Sequence, residues 1–113
     1  MPELLKPHWF QILLSVADGP KHGTAVMEAV LERTHGAMKL WPGTLYGSLR
    51  DLESRGLVGE TEAPEDAPTE GGKRRFYGIT EEGRRALASE VRRLASYVRE
   101  ARAKDLIGPA ESV

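Results

Sequence analysis

The residues best suited to chemistry lie on one face of the stretch 42–55, where small residues, hydroxyls, a guanidinium and a phenol collect. Within this stretch Leu45, Leu49 and Leu52 recur at i, i+4 and i+7, which predicts a helix with one apolar stripe. The opposite face carries Gly43, Thr44, Gly47, Arg50 and Ser54, with Tyr46 and Asp51 at its flanks. Such residues suit a helix that lies against a flat polar partner, for example a DNA groove. A solvated surface helix interrupted by glycine explains the periodicity equally well.

A second set of candidate residues is the cationic run of Lys73, Arg74 and Arg75. It follows a segment whose charges are all acidic, from Glu60 to Glu70. Three consecutive cations near a polar-faced helix are suited to contacts with phosphates. A solvated hairpin tip is the alternative explanation for the same residues.

Catalytic and metal chemistry has little basis in this sequence. His8, His22 and His35 fall in different predicted elements, and none has a second histidine or a carboxylate at metal-ligand spacing. The absence of cysteine excludes disulfides and cysteine-based zinc sites. The segment 71–73 (GGK) lacks the earlier glycine and the following Ser or Thr of a phosphate-binding loop. We therefore expect no enzyme activity, no metal and no cofactor, and a capping or packing role for His22.

Two further helices are predicted ahead of the polar-faced one. Residues 7–18 place Trp9, Ile12, Leu13 and Val16 on one stripe, and the flanking positions are also apolar. A short helix that is apolar nearly all round is buried on more than one side, so we expect one side to meet a second subunit. Residues 21–34 predict a second helix, and a brief turn then leads to 42–55, which completes a helix-turn-helix pattern.

The polar-faced helix has an unusual start. Pro42 suits its first turn because the missing N–H needs no partner there. Trp41 occupies the N-cap position, where Ser, Thr or Asp would be expected. After this helix, residues 57–62 and 74–79 predict two strands that flank a loop rich in Pro, Gly and acidic residues.

A last helix is predicted to begin after Thr80 as its N-cap, with Glu81 and Glu82 in the first turn, where the helix dipole favours acids. Its apolar residues alternate spacings of four and three over about two heptads. They are Leu87, Val91, Leu94, Val98 and Ala101. So long and narrow a stripe favours pairing with another chain, and we expect Trp9 and Phe10 to join it at the interface.

Size and composition limit the number of domains and the kinds of partner. The chain has 113 residues, a hydrophobic fraction of 40% and a formal net charge of −1, which is typical of one domain. The balanced charge argues against a purely charge-driven nucleic-acid binder but permits a local basic patch. No apolar run reaches the ~20 residues of a membrane span, and the first residues do not resemble a signal peptide. A cytoplasmic protein without a membrane partner is expected.

Four segments together resemble the PadR family of winged-helix transcriptional regulators. They read DGPKHG at 18–23, PGTLY at 42–46, LRDLESRGLV at 49–58 and RRFYGITEEG at 74–83, and the resemblance extends roughly over residues 8–90. It implies a homodimeric repressor that binds double-stranded operator DNA through paired recognition helices and wings and dimerises through its terminal helices. Four positions depart from the family pattern: Thr24, Trp41, Gly47 and Gly78 stand where an aromatic residue, Ser, Pro and a polar or basic residue are common.

The resulting expectations are specific. The fold should be mainly α with a small β-hairpin: a winged helix-turn-helix domain over 1–80, a dimerisation helix over 81–105 and a frayed tail over 106–113. The predicted DNA contacts are Gly43, Thr44, Tyr46, Arg50, Lys73, Arg74 and Arg75. The predicted dimer contacts are Trp9, Phe10, Leu87, Val91, Leu94 and Val98. Trp9 and Trp41 are either structural, in core or interface packing, or form the site of a small aromatic effector, and the structural interpretation is favoured. The alternative function is a winged-helix interaction module that no longer binds DNA.

Overall fold

Four helices and a three-stranded antiparallel sheet make up the described part of the fold, and the predicted winged helix-turn-helix class is confirmed. The computed structural model describes residues 4–63 and 75–108. In chain order the elements are α1 Pro7–Val16, β1 Lys21–His22, α2 Gly23–Arg33, α3 Pro42–Ser54, β2 Val58–Thr61, β3 Phe76–Ile79 and α4 Glu81–Ala103. The strand order in the sheet is β1-β3-β2.

Helix α1 lies at the centre of the core. It packs against α2, α3, α4 and β3, and its stripe residues Trp9, Ile12, Leu13 and Val16 are buried. This enclosure explains why α1 is apolar nearly all round, since three helices and a strand of its own chain cover most of its circumference. The apolar character of α1 therefore does not require a second subunit.

The start of α2 differs from the sequence prediction. Lys21 and His22, which were predicted to begin the helix, instead form a short strand that pairs with Tyr77 and Phe76 of β3. The helix begins at Gly23, and the His22 side chain caps it by accepting a hydrogen bond from the N–H of Ala25 to Nδ1 at 3.3 Å. Two residues are too few to show the alternation by which a strand is recognised, so this element leaves no signal in the sequence.

A lysine fixes β1 to the end of α1. The Lys21 ammonium donates to the carbonyl oxygen of Ser15 and to a carboxylate oxygen of Asp18, both at 2.6 Å. The hydrogen bond from Lys21 to Asp18 and the charge of Lys21 hold the pKa of the Asp18 carboxyl below its usual value. The contact with charged Asp18 is consequently present at neutral pH and is lost as the pH falls through that lowered pKa.

A tight turn at the end of α3 sets the direction of β2. Gly56 takes the left-handed conformation (φ +74°), which glycine adopts readily after the last turn of a helix. The N–H of Leu57 then donates to the carbonyl oxygen of Leu52 at 2.9 Å, which closes the last turn. The strand begins at the next residue, Val58.

Helix α4 extends beyond the rest of the fold. Its buried residues are Gly83, Leu87 and Glu90, all in its first half. The principal extents of the molecule are 52 × 31 × 26 Å and its radius of gyration is 15.7 Å. A compact chain of this length would have a radius of gyration of about 13 Å. The second half of α4 therefore lacks the packing that encloses α1.

Candidate nucleic-acid interface

Helix α3 presents its polar face to the exterior because its apolar stripe is fully used in the core. Leu45, Leu49 and Leu52 are buried, in agreement with the predicted stripe. The opposite positions are exposed, namely Gly43, Thr44, Tyr46, Arg50 and Ser54. The structure thus brings together the four predicted DNA-contact residues of this helix on one accessible surface.

The first turn of α3 is open. Trp41 is its N-cap residue, and its side chain makes no capping hydrogen bond within the described part of the chain. The first intrahelical bond in this turn runs from the N–H of Leu45 to the carbonyl oxygen of Trp41 at 2.9 Å. The preceding N–H groups point toward the exterior at the positive end of the helix dipole, where an anion such as a phosphate is favoured.

Gly23 leaves the space that the Tyr46 side chain occupies, a role that was not predicted from the sequence. The Tyr46 ring crosses the start of α2 so closely that a Cβ added at Gly23 would be 2.9 Å from Tyr46 Cζ. Only a residue without a side chain leaves room for the phenol at this position. The sequence signal was present in the matching segment 18–23, but its physical reason required the packing of α2 against α3.

The described part of the wing consists of β2 and β3. They pair from Val58 opposite Ile79 to Thr61 opposite Phe76. Arg75 precedes β3 and is largely exposed, and its Nε lies 3.5 Å from the Glu60 carboxylate on β2. Lys73 and Arg74 lie outside the described residues, so the predicted cationic run is represented here by Arg75.

The phenol of Tyr77 lies on β3, two residues after Arg75. Tyr77 is buried, and burial raises the pKa of its phenol above the usual value, although a hydrogen bond with Arg75 partly opposes the rise. Neutral Tyr77 therefore stabilises the sheet below about pH 10, and this contribution is lost as the pH rises through the raised pKa.

The predicted dimer contacts divide into two groups. Trp9 and Leu87 are buried within their own chain, and Phe10 is half-buried. On α4, however, Val91 is 44% exposed and Leu94 is 38% exposed, and Val98 is half-buried. Tyr97, which the heptad pattern did not include, is also exposed and follows Leu94 by three residues, which places it next to the same stripe.

The two tryptophans lie in different surroundings. Trp9 is 4% exposed, and its ring centroid lies 4.9 Å from the Lys6 ammonium and 4.7 Å from the Arg55 guanidinium. Trp41 is 62% exposed, with the Lys39 ammonium 4.4 Å from its ring centroid. The predicted effector site at both residues stays a prediction, and of the two rings Trp41 is the accessible one.

A cavity of about 240 Å³ opens beside Trp41. It lies between α2 and the turn that leads into α3. Its lining is largely apolar and consists of Met27, Glu28, Leu31, Lys39, Leu40, Trp41 and Pro42. An apolar surface therefore adjoins the leading end of the polar-faced helix.

Metal-ligating clusters and membrane-spanning helices are both absent from residues 4–63 and 75–108. No group of three or more His, Cys, Asp or Glu residues there could hold a metal ion. No helix there combines the length and apolar character that crossing a bilayer requires.

Comparison with known proteins decides the family. The model of the family described as "Transcriptional regulator PadR-like family" matches residues 12–89, which include the whole helix-turn-helix and the sheet. The chain belongs to the PadR-like family. Family membership agrees with the resemblance recognised in the sequence, and the matched region ends within α4, ahead of its exposed stripe.

Relatives in sequence include transcriptional regulator Rv3488 of Mycobacterium tuberculosis, which is 35% identical over 89 residues. That alignment covers 79% of this PadR-like chain and 77% of the relative. A 37.1 kDa protein in transposon TN4556 of Streptomyces fradiae is 38% identical over 84 residues, and the alignment covers 74% of this chain. The chain spans 22% of the length of that larger relative.

Solved structures of similar fold include a PadR family transcription regulator from Clostridium difficile R20291, with a TM-score of 0.68 and 20% identity. The match covers 90% of this chain and 100% of that one. A transcriptional regulator from Clostridium thermocellum has the same TM-score and identity, with 85% of this chain and 87% of the other covered. At such identities the structures establish the winged-helix fold alone.

Proposed function

We propose that this PadR-like chain is a sequence-specific DNA-binding repressor that acts as a homodimer. The observation that carries the proposal is the exposed face of α3, which presents small and hydrogen-bonding residues while its apolar stripe is buried. Residues 1–80 would contact DNA, and residues 81–105 would hold two copies together. The chain's membership of a family of transcriptional regulators supports this assignment.

In this proposal α3 enters the major groove. The Thr44 hydroxyl, the Tyr46 phenol and the Arg50 guanidinium can hydrogen-bond to base edges or phosphates, and all three are exposed. Gly43, also exposed, has no side chain and allows the backbone to approach the DNA closely. Arg50 is the residue best suited to a bidentate contact with guanine.

The wing would contact the phosphate backbone beside the groove that α3 enters. We assign this role to Lys73, Arg74 and Arg75, because cations bind phosphates independently of base sequence. Arg75 has a competing partner in Glu60, 3.5 Å away. The side chains of this pair are 75% and 49% exposed, so the ion pair is weak and a phosphate can replace the carboxylate.

A second copy of the chain would place two α3 helices about 34 Å apart, one turn of DNA, to contact two half-sites. Exposed Val91 and Leu94, with half-buried Val98, form the stripe through which α4 would pair with its partner. Trp9, Phe10 and Leu87 lie nearer the core and would support this contact from within each chain.

The first test is a salt titration of binding to the DNA upstream of the protein's own gene. Six wing cations in a dimer predict an affinity loss of about 10³-fold between 50 and 200 mM salt. A repressor should also prefer one site over competitor DNA. An interaction module that has lost DNA binding would show neither the steep salt dependence nor the preference.

A wing variant tests the phosphate contacts. Replacing Arg74 and Arg75 with Ala removes four cations from a dimer and should lower the slope of log affinity against log salt by about 3 to 4. Glu60→Gln is the matched control at the same hairpin, because it frees Arg75 from its partner and should raise affinity for every sequence. Unchanged binding by the double variant would exclude the wing from the interface.

A small aromatic effector remains part of the proposal. Trp41 is the exposed ring and adjoins a cavity, so its fluorescence should respond to a bound flat compound while that of Trp9 should not. A titration with Trp9→Phe and Trp41→Phe variants would separate the two signals. An effector must also change the affinity for DNA, and a compound that leaves this affinity unchanged is not one.

A further inference from the structure

The most exposed large aromatic side chain in the described residues stands at the leading end of α3. Trp41 is 62% exposed, whereas tryptophan is on average a highly buried residue. It directly precedes Pro42, the first residue of the helix, and the neighbouring Gly43 and Thr44 are exposed as well. Whatever α3 contacts therefore also meets an indole ring.

The indole is positioned by its neighbours. The Lys39 ammonium lies 4.4 Å from the ring centroid, a distance at which a cation and an aromatic face attract each other. The ring also forms one wall of the cavity of about 240 Å³, with Met27 and Leu31 of α2 on other walls. The result is a largely apolar recess at the tip of the helix, with the Lys39 ammonium and the Glu28 carboxylate also in its lining.

The major groove of DNA offers one apolar group to such a recess. The base edges present hydrogen-bond donors and acceptors, and the exception is the C5-methyl group of thymine. We propose that Trp41, with Leu31 and Met27, binds a thymine methyl in each half-site and so determines part of the sequence preference. This inference rests on the proposed function, because it requires α3 to enter the major groove.

The lining carries one cation, Lys39, and one carboxylate, Glu28, so DNA is favoured as its occupant by the continuity of the recess with α3 and not by its net charge. Lys39 is exposed and can neutralise a phosphate near the thymine while the indole covers the methyl. The recess is continuous with the exposed start of α3, so a base that meets Thr44 has neighbours within reach of Trp41. The indole offers one N–H donor and no acceptor, which leaves an amino group of cytosine or adenine without a partner there.

The test compares thymine with deoxyuridine, which lacks only the methyl group. An operator is first selected from random DNA with the wild-type protein, and each thymine is then replaced in turn. We expect one thymine per half-site at which removal of the methyl weakens binding about fourfold, equivalent to about 0.8 kcal/mol for one buried methyl-sized group. Trp41→Ser should bind both probes alike, and its hydroxyl supplies a normal N-cap that keeps the helix intact.

Lys39→Gln is the matched control, since it should weaken binding to both probes and leave their ratio unchanged. A discrimination between thymine and deoxyuridine that persists in Trp41→Ser would overturn the inference, and so would its absence in the wild type. If the wild type selects no operator at all, the proposed function fails and this inference falls with it.

Photo-cross-linking provides a readout that needs no variant. 5-Iododeoxyuridine places iodine where the thymine methyl would be. Irradiation breaks the C5–I bond, C5 bonds to an adjacent aromatic ring, and the iodine and a ring hydrogen are lost as HI. After trypsin digestion the peptide 40–50 contains both Trp41 and Tyr46, and fragmentation of the adduct distinguishes them. We expect the adduct on Trp41. An adduct on Tyr46, or none in a stable complex, would assign the methyl contact elsewhere.

Discussion

At the residue scale, the DNA-facing surface depends on a glycine that would not itself contact DNA. Tyr46 lies over Gly23, and a methyl group there would approach Tyr46 Cζ to 2.9 Å and a Leu45 methyl carbon to 3.2 Å. The phenol is the outer end of a side chain, so it can swing away, whereas Leu45 is fixed in the core. Gly23→Ala should therefore displace Tyr46 while leaving most of the fold in place.

We expect Gly23→Ala to reduce operator affinity by about tenfold, which corresponds to the loss of one or two good hydrogen bonds at ~1 kcal/mol each. The free energy of unfolding should change by less than the free energy of DNA binding, because alanine is the better helix former and offsets part of the crowding. Tyr46→Ala is the matched comparison. If Tyr46 acts as proposed, the double variant should bind as weakly as Tyr46→Ala alone, and additive losses would contradict the coupling.

At the element scale, the joint between the sheet and α4 is built around Thr80. Its hydroxyl donates to the carbonyl oxygen of Gly56 at 2.6 Å and accepts from the N–H of Gly83 at 2.9 Å, so the predicted N-cap is confirmed. The first turn of α4 consequently lies against the end of α3. A Cβ at Gly83 would be 2.8 Å from the Ile79 side chain and 3.0 Å from the Leu57 carbonyl carbon.

Gly83→Ala should therefore destabilise the protein by about 1–3 kcal/mol, because the obstacle is partly backbone and cannot rotate aside. Gly47→Ala is the matched control within a helix: its Cβ would meet no described atom within 4 Å, and the change should stabilise by up to ~1 kcal/mol. Denaturant unfolding of the two variants tests whether the unfolding midpoint falls for Gly83→Ala and rises for Gly47→Ala. Equal midpoints would mean that α4 can shift away from the α3 turn.

Some of the secondary-structure elements were predictable from the sequence, and others were not. Helices α2, α3 and α4 have one-sided apolar stripes or clear caps, so their existence and their buried faces were predictable from periodicity. Helix α2 begins two residues later than the sequence predicted. Strand β1 was missed because two residues carry no period. The apolar circumference of α1 was detected, but a sequence does not show whether one chain or two enclose it. Gly23 and Tyr97 required tertiary packing, since their roles depend on what lies opposite them.

At the scale of the whole molecule, the protruding half of α4 is the feature that a single chain leaves unpaired. Leu94 and Tyr97 are exposed there, and exposed Val91 precedes them near the middle of the helix. By contrast, the first half of the helix is anchored: Glu90 is buried and ion-paired with Arg93, and the Arg84 guanidinium donates to the carbonyl oxygen of Ala17 at 3.0 Å. A rigid helix that carries an exposed apolar stripe suits pairing with a second copy across a two-fold axis.

Leu94→Arg tests this pairing directly. In a two-fold dimer each copy would place an unpaired guanidinium in the apolar contact, at a cost of several kcal/mol per charge. We expect the dimer Kd to rise by at least about 10³-fold, since each ~1.4 kcal/mol is a factor of ten. Sedimentation velocity should show a folded monomer, and operator affinity should fall because one chain reaches one half-site. Ala103→Arg adds the same charge nine residues further along α4, about half a turn round the helix, and should remain dimeric. A Leu94→Arg protein that still sediments as a dimer would mean that the stripe does not form the subunit interface.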